Sequence, residues 1–344
     1  MAQVETAESG QGGASHRGPG SGTWRAGVSR AIRIGSQPGP WKRGLVLAAL
    51  ALLLGLFMLL HAKIPNRIGN LGSLVETFLP WFGLFIPVLL AGAIWRRSAS
   101  AVAALLLPVM VWLNLFGGQL SDKSSPGSDL TVASHNVNAE NPDPAGTARD
   151  LAASGADVVA LQELTPEGRG TYEKGLAKTY PYHTVQGTVG LWSKLPLSDT
   201  RPVDIKLGWT RALRTTVATD QGPMAVYVAH LPSVRVKFNA GFTAGQRDAS
   251  AHALGNAIAR EPVERVVLLG DLNGTMNDRA LADITSQMRS TQGAAGDGFG
   301  FSWPASFPMA RIDQILVKGV EPKSSSVLPA TGSDHRPVAA GISW

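Results

Sequence analysis

Residues 265–273 read RVVLLGDLN, a short apolar, β-branched run that stops on Asp271 and Asn273. A strand needs neither a carboxylate nor an amide at its end, whereas polar groups offered from the rim of a rigid scaffold are the usual way chemistry is presented. The pattern recurs on both sides. Upstream lie LTVASHNV (130–137), DVVALQEL (157–164), TVGLWSK (188–194), LRTTVAT (213–219) and MAVYVAHL (224–231); downstream lie IDQILVKG (312–319) and PVAAGIS (337–343). Amphipathic spacing predicts helices around Ala145–Ser154 and Gln246–Arg260. Many short strands with few helices between them predict an α/β fold, two sheets packed on each other with the helices outside.

Other strands end as the first does. SHNVN offers Asn136 and Asn138, LQE offers Glu163, AHL offers His230, RIDQI offers Asp313, and GSDHRPV (332–338) offers Asp334 and His335. Any one of these alone reads as a solvated loop residue or a helix cap. Together, in this order and these contexts, they form a strong signal. His135, His183 and His252 lack such neighbours and read as structural.

The order resembles the endonuclease/exonuclease/phosphatase superfamily, the fold shared by DNase I, abasic-site endonucleases, inositol-phosphate phosphatases and neutral sphingomyelinases. The resemblance spans Leu130 to Trp344 and is carried by SHNVN, VVALQEL, GLWSKLPL, VYVAHL, VVLLGDLNG, SWPASFPMARIDQILV and GSDHRPV, of which GDLN and SDHRP are the most specific. It implies a four-layer α/β/β/α sandwich with the site at one edge of the two sheets. Phosphoester hydrolysis needs a cation against the phosphate oxygens, a base or orienter for the attacking water, and donors for the pentacovalent centre.

By this resemblance Glu163 is the main Mg²⁺ ligand, with Asn136 beside it and Asp334 contributing directly or through water. Hard oxygen donors suit Mg²⁺, or Mn²⁺, better than zinc. Asp271 orients or deprotonates the water, and Asn273 holds it or a phosphate oxygen. His335 donates to the phosphate with Asp313 fixing its tautomer from behind, and His230 contacts the phosphate or the leaving oxygen. Asn138 stands where some relatives have a carboxylate, so it belongs with the substrate contacts and one principal cation is expected. Residues 130–344 are compact for the superfamily and leave little room for the loops with which DNA-cutting members enter a groove.

Charge points the same way. The net charge is +6, but Met1 to Lys123 holds 11 Lys/Arg against 4 Asp/Glu, and Ser124 to Trp344 holds 20 against 21. The globular part therefore lacks the basic footprint of a protein that grips a phosphate backbone, and no stable nucleic-acid complex is expected. There is no cysteine, which excludes disulfides, zinc–thiolate sites and thiol nucleophiles.

Only 16% of residues are charged against 44% hydrophobic, and the imbalance sits in the first third. Residues 1–40, rich in Gly, Ser and Arg, read as a disordered basic tail. Residues 41–120 hold three apolar runs, Gly44–Ala62, Phe78–Trp95 and Ser100–Phe116, read as transmembrane helices; a cleaved signal peptide and a buried helical hairpin are the competing readings. Residues 121–129 are a linker to the catalytic domain, 130–344. Basic residues concentrate before the first run and at Arg96 and Arg97, which predicts a multi-pass protein of the cell membrane with a cytoplasmic amino terminus and an extracellular catalytic domain. Tethered this close to the bilayer, the domain is favoured against membrane-bound substrates. The layout resembles the actinobacterial membrane proteins associated with teicoplanin resistance (the VanJ type), implying a phosphorylated lipid substrate such as a cell-wall lipid-carrier diphosphate. The rivals are an anchored extracellular nuclease and a catalytically silent domain that binds a cell-wall ligand.

Overall fold

The computed structural model describes residues 39–66, 71–233 and 244–344. Of the tail predicted over 1–40, all but Gly39 and Pro40 lies outside the described residues. The amino-terminal part is helical: α1 (Leu45–Leu59), α2 (Leu71–Phe78), α3 (Phe85–Trp95), α4 (Ala99–Ala104) and α5 (Leu106–Phe116). α1 buries Ala48, Ala51, Gly55 and Met58. A Cβ on Gly55 would come within 2.6 Å of Leu107 Cγ, so α1 and α5 meet along a seam of small residues that lets apolar helices approach closely.

The stretches Leu71–Trp95 and Ala99–Gln119, 25 and 21 residues, are long and apolar enough to cross a membrane, whereas Leu45–Leu59 has 15. That is about 22 Å at roughly 1.5 Å per residue, against an apolar core of about 30 Å. Two of the three expected membrane helices therefore meet the length requirement. The first stops short because the chain tightens into a 3-10 turn at His61–Lys63. The second begins earlier than expected, with α2 bent into α3 through the 3-10 turn Leu79–Leu84 around Pro80.

These helices run up, down and up. Ser98 Oγ and Ser100 Oγ donate to Arg43 O, and Ala99 N donates to Pro40 O at 3.0 Å. Lys42 and Arg43 thus share one end with Arg96 and Arg97. The opposite end abuts the sheet domain, where Trp81 Nε1 donates to Met309 O at 2.8 Å and Arg247 Nη2 donates to Ser73 Oγ at 2.9 Å.

The sheet domain contains β1 (Leu130–Asn136), α6 (Pro144–Ala153), β2 (Val158–Gln162), α7 (Pro166–Leu176), β3 (Tyr182–Gln186), β4 (Val189–Ser193), β5 (Leu197–Pro202), β6 (Ala212–Thr219), β7 (Gly222–His230), α8 (Ala244–Ala259), β8 (Val266–Asp271), α9 (Ala282–Thr285), β9 (Arg289–Ser290), α10 (Thr291–Ala295), β10 (Asp313–Lys318), β11 (Glu321–Val327) and β12 (Val338–Ser343). Among the described residues they form two six-stranded sheets, ordered β11-β12-β1-β2-β4-β3 and β5-β6-β7-β8-β10-β9. β1 runs parallel to β2 and β7 to β8; the other pairings are antiparallel.

Alternation along each strand builds the layers. Val132 of β1, Val226 and Val228 of β7, and Val267 and Leu269 of β8 fill the core between the sheets. Ala133 turns outward to Leu151 of α6 and Leu176 of α7, and Val266 and Leu268 turn outward to Leu254 and Ile258 of α8. Both faces of β8 are buried, which is why VVLL is a continuous apolar run and not an alternating one. The order is α/β/β/α. All eight quoted segments are strands, and the two expected helices appear as α6 and α8.

Candidate active site

The carboxyl ends of β1, β2, β7 and β8 meet the amino end of β10 and the loop before β12 at one edge of the two sheets. This is where a sheet leaves a crevice for ligands. Register sets who faces whom. Asp271 is paired with His230 of β7 on one side and with Asp313 of β10 on the other. Gly270 is required for this closeness, since a Cβ there would lie 1.9 Å from Ala229 O.

Asn136 sits at the centre. Its Nδ2 donates to Glu163 Oε1 and to Asp271 Oδ2, both at 3.0 Å, while its Oδ1 accepts from Asn138 N at 3.0 Å. The amide therefore holds two carboxylates together and turns its nitrogen, not an oxygen, toward them. In this arrangement Asn136, expected beside Glu163 at the cation, braces the two carboxylates. Each carboxylate has its other oxygen on a backbone N–H: Glu163 Oε2 on Ala139 N at 3.1 Å and Asp271 Oδ1 on Asn273 N at 2.9 Å. His230 Nε2 lies 3.6 Å from both Glu163 Oε1 and Asp271 Oδ2.

Asp313 is fully buried. Its Oδ2 accepts from His335 Nδ1 at 2.9 Å and from Ser302 Oγ at 2.6 Å. Ser333 Oγ accepts from His335 N at 3.1 Å and donates to Asn136 O at 2.7 Å, tying the loop before β12 to the end of β1. His335 Nε2 then points toward Asp271 Oδ2, 3.9 Å away.

The two histidines have opposite electrostatics. Burial opposes charge on both. On His335 it is outweighed by Asp313, Asp271 and Asp334, which push its pKa up to about 10. On His230 burial is joined by Arg211 and by His335, and its pKa falls well below the ordinary 6.5. His335 is thus a cationic donor and His230 a neutral imidazole. Burial, aided by repulsion from Asp313, outweighs the pull of His335 and the hydrogen bonds from Asn136 and Asn273, and lifts Asp271 to about 7. Asp313 goes the other way: burial is overcome by His335 and Ser302, and its pKa is lowered.

A cavity of about 730 Å³ opens over this edge. Glu163, His230, Asp271, Asn273, Asp334 and His335 line it, with Asn136 and Asp313 behind them. Asp334 is exposed at the rim. Asn138, at φ 60°, turns its Oδ1 back to accept from Glu140 N at 3.0 Å, within its own loop. His135 is buried beneath the site with Nε2 near Thr331 Oγ1, 2.9 Å away; His183 stacks on Trp192; His252 pairs with Asp283.

Glu163, its side chain part-exposed to the cavity and set in place by Asn136 Nδ2 and Ala139 N, offers the hard oxygen donor that a divalent cation takes. Asp271, Asp313 and His335 also bring ligand atoms within 4.8 Å of one another. Asp313 is already engaged by His335 and Ser302, so that trio is a hydrogen-bond relay; Glu163, open to the cavity, is the better fit.

Sequence reasoning missed the rest of the cavity. Trp209, Arg211 and Trp303 contribute a cation and aromatic surface, with Arg211 Cζ 5.1 Å from the Trp209 ring centre. Leu74, Thr77 and Phe78 of α2 line it from the opposite side. Motif spacing carries no signal for Trp209, Arg211 or the α2 residues, and Trp303 stands within SWPASFPMARIDQILV with no role assigned to it there.

A comparison with curated proteins finds no match. Similar solved structures include D. rerio TDP2 complexed with single strand DNA product (19% identity, TM-score 0.53, 62% of this chain and 99% of that one). Another is a double mutant of beta toxin from Staphylococcus aureus with bound magnesium ions (16%, TM-score 0.50, 62% and 99%). A third is an endonuclease/exonuclease/phosphatase family protein from Bacteroides thetaiotaomicron (17%, TM-score 0.51, 63% and 98%). These likenesses show the shared fold. The model of the Endonuclease/Exonuclease/phosphatase family, whose members are generally metal-dependent hydrolases, matches residues 133–335, a stretch that runs from within β1 to His335, and the chain belongs to that family.

Proposed function

We propose that the protein is a membrane-anchored, extracytoplasmic phosphohydrolase that uses a divalent cation to cleave a lipid-linked phosphate, with a cell-wall lipid-carrier diphosphate as the favoured substrate. One observation carries the reading. The hydrolytic edge of the sheets faces a wall made by Leu74, Thr77 and Phe78, residues of the same apolar stretch that is long enough to cross a membrane. Three crossings, with α1 packed along the other two, would place Lys42, Arg43, Arg96 and Arg97 at the inner face and the sheet domain outside.

Glu163, with Asn136 beside it and Asp334 at the rim of the same cavity, would hold Mg²⁺ or Mn²⁺, which supplies charge neutralisation at the phosphate oxygens. The protein's own groups do the rest. Asp271, lifted to about 7, is matched to take a proton from water near neutral pH. Asn273 gives its Nδ2 to Leu231 O at 2.9 Å, leaving its carbonyl for that water. His335, cationic and held by Asp313, donates Nε2–H to a phosphate oxygen, and neutral His230 stands by the leaving oxygen. The magnesium-bound beta toxin supports the choice of cation. On this reading the protein contributes to teicoplanin resistance by acting on a cell-wall intermediate.

The single-strand DNA complex of TDP2 favours a nuclease as the second reading; the 20-to-21 balance of basic and acidic residues after Lys123 speaks against it. The deciding assay uses the purified protein with Mg²⁺ on undecaprenyl diphosphate, a sphingomyelin-like diester, an inositol phosphate and plasmid DNA. The diphosphate should be the preferred substrate by about tenfold or more in kcat/KM. Preference for plasmid DNA would overturn the reading, as would cytoplasmic activity of a reporter fused after Trp344.

A further inference from the structure

We propose that an apolar groove between the membrane helices and the sheet domain seats the hydrocarbon chain of the substrate; the inference rests on the lipid-phosphate reading above. The groove has a volume of about 440 Å³, and its wall includes Pro80, Trp81, Trp112, Leu113, Phe299 and Phe301. Among the described residues no charged side chain lines it. Its two indole N–H groups are already used, Trp81 Nε1 on Met309 O and Trp112 Nε1 on Pro80 O, both at 2.8 Å. What remains is aromatic and aliphatic surface with no polar demand, which suits a hydrocarbon and little else.

Its position gives it a use. Along the helical segment Phe78 lines the catalytic cavity, and two and three residues on Pro80 and Trp81 line the groove. Across from them Trp303 lines the cavity and Phe301 the groove. Trp81 and Phe301 stack on the groove side, centroids 5.6 Å apart. A single molecule with a phosphate head on the strand ends and a chain draped past Phe78 would occupy both spaces. The outer lip of the groove is formed by Leu84 and Leu113, 60% and 49% exposed. Leu84 ends the 3-10 turn that joins α2 to α3 and Leu113 lies in the last turn of α5, the turn nearest the sheet domain, so the groove opens toward the outer half of the bilayer, from which a chain can enter sideways. Longer chains bury more apolar surface there and are bound more tightly.

The test fills the groove from its exposed lip, where a larger side chain does not disturb the core, with Leu84→Trp and Leu113→Trp in the full-length protein in detergent micelles. Turnover is measured on isopentenyl, farnesyl and undecaprenyl diphosphate. A farnesyl diphosphate analogue with a diazirine at the chain end is photolysed in parallel, and the labelled peptides are mapped. The wild type should prefer the long chain, and each filler should cut the undecaprenyl-to-isopentenyl ratio of kcat/KM by about tenfold, mainly through KM. The label should land within 80–87, 109–113 or 299–301 and be lost in the fillers. Equal losses on all three substrates, or a label that lands elsewhere, would overturn the proposal. A wild type active on undecaprenyl diphosphate and indifferent to both fillers sinks the groove alone. A wild type inert on every diphosphate but active on another phosphoester sinks the lipid-phosphate reading and the groove with it.

Discussion

The catalytic cavity has two walls built on different principles. The floor is a ladder edge: Asn136, His230, Asp271 and Asp313 sit on paired strands, and the side-chain polar atoms of Asn136, Asp271 and Asp313 are each held by a neighbour within 3.2 Å. The roof is three side chains of α2, fastened to the sheet domain by Arg247 on Ser73 and by Thr275 Oγ1 on Glu76 O, 3.2 Å. The floor is continuous with the core of the fold, whereas the roof is docked onto it. Chemistry and selectivity can therefore vary separately, and the difference can be broken by experiment.

The largest effect belongs to the floor. Glu163→Gln keeps shape but removes a carboxylate aimed at the cation, and turnover should fall by roughly a thousandfold on every substrate with the circular dichroism spectrum unchanged. Near wild-type rates would show that Glu163 is outside the chemistry. Next come the histidines. Asp313→Ala and His335→Ala should each cost roughly a hundredfold in kcat/KM and the pair little more than either, because Asp313 acts through His335. His230→Ala, with no carboxylate behind it, should combine with Asp313→Ala almost additively. Simple additivity of Asp313 and His335 would dissolve the relay.

Much of this floor is legible in the sequence. Polar residues at the ends of apolar runs stand out because a strand has no structural use for them, and eight strands with two helices suffice for a two-sheet sandwich. What escapes has physical causes. β3, β5 and β11 (YHTVQ, LSDTRP, EPKSSSV) are edge or near-edge strands with exposed or half-exposed residues, so their pattern lacks an apolar face. α7 carries glycines within PEGRGTYEKGL, which weakens its helical signature. Asn138, Glu163 and Asn273 take φ of 60°, 62° and 47°, a conformation that no residue-type pattern announces for a glutamate. The roof escapes entirely, since Ser73 and Arg247 meet across 174 positions.

The roof yields the third prediction. Arg247 and Asp278 are both fully buried, with Nη2 3.1 Å from Oδ1. Arg247→Leu strands that carboxylate and should lower stability by about 3–5 kcal/mol in denaturant unfolding, with Asp278→Leu in the same chain restoring most of it. Because Arg247 Nη1 also donates to Asn273 O at 3.0 Å, separability is read with Ser73→Val, which frees α2 from Arg247 and should lose more activity on lipid diphosphate than on a soluble phosphoester. Parallel losses would make floor and roof one unit.

The smallest effect is a pH dependence confined to the floor. His335 has its pKa raised from 6.5 to about 10, so folding favours its charged form. Its contribution is complete below pH 6.5 and fades as pH rises through 10. With divalent cations chelated, the stability gap between wild type and His335→Asn should be level at acid pH and close between neutrality and about pH 10. A gap that widened over that range would reverse the assigned sign.

The pairing of Asp271 with His230 and Asp313 constrains how such a chain can change in length. Strand side chains alternate between faces, so one residue gained or lost inside β8 would rotate Asp271 away from the cavity and turn Gly270 out of the place its small size serves. The connections away from the catalytic edge are free of that constraint, and the entropy of closing a longer loop grows slowly. Lineages sharing this site are therefore expected to keep strand lengths fixed, with insertions and deletions gathered in the connections.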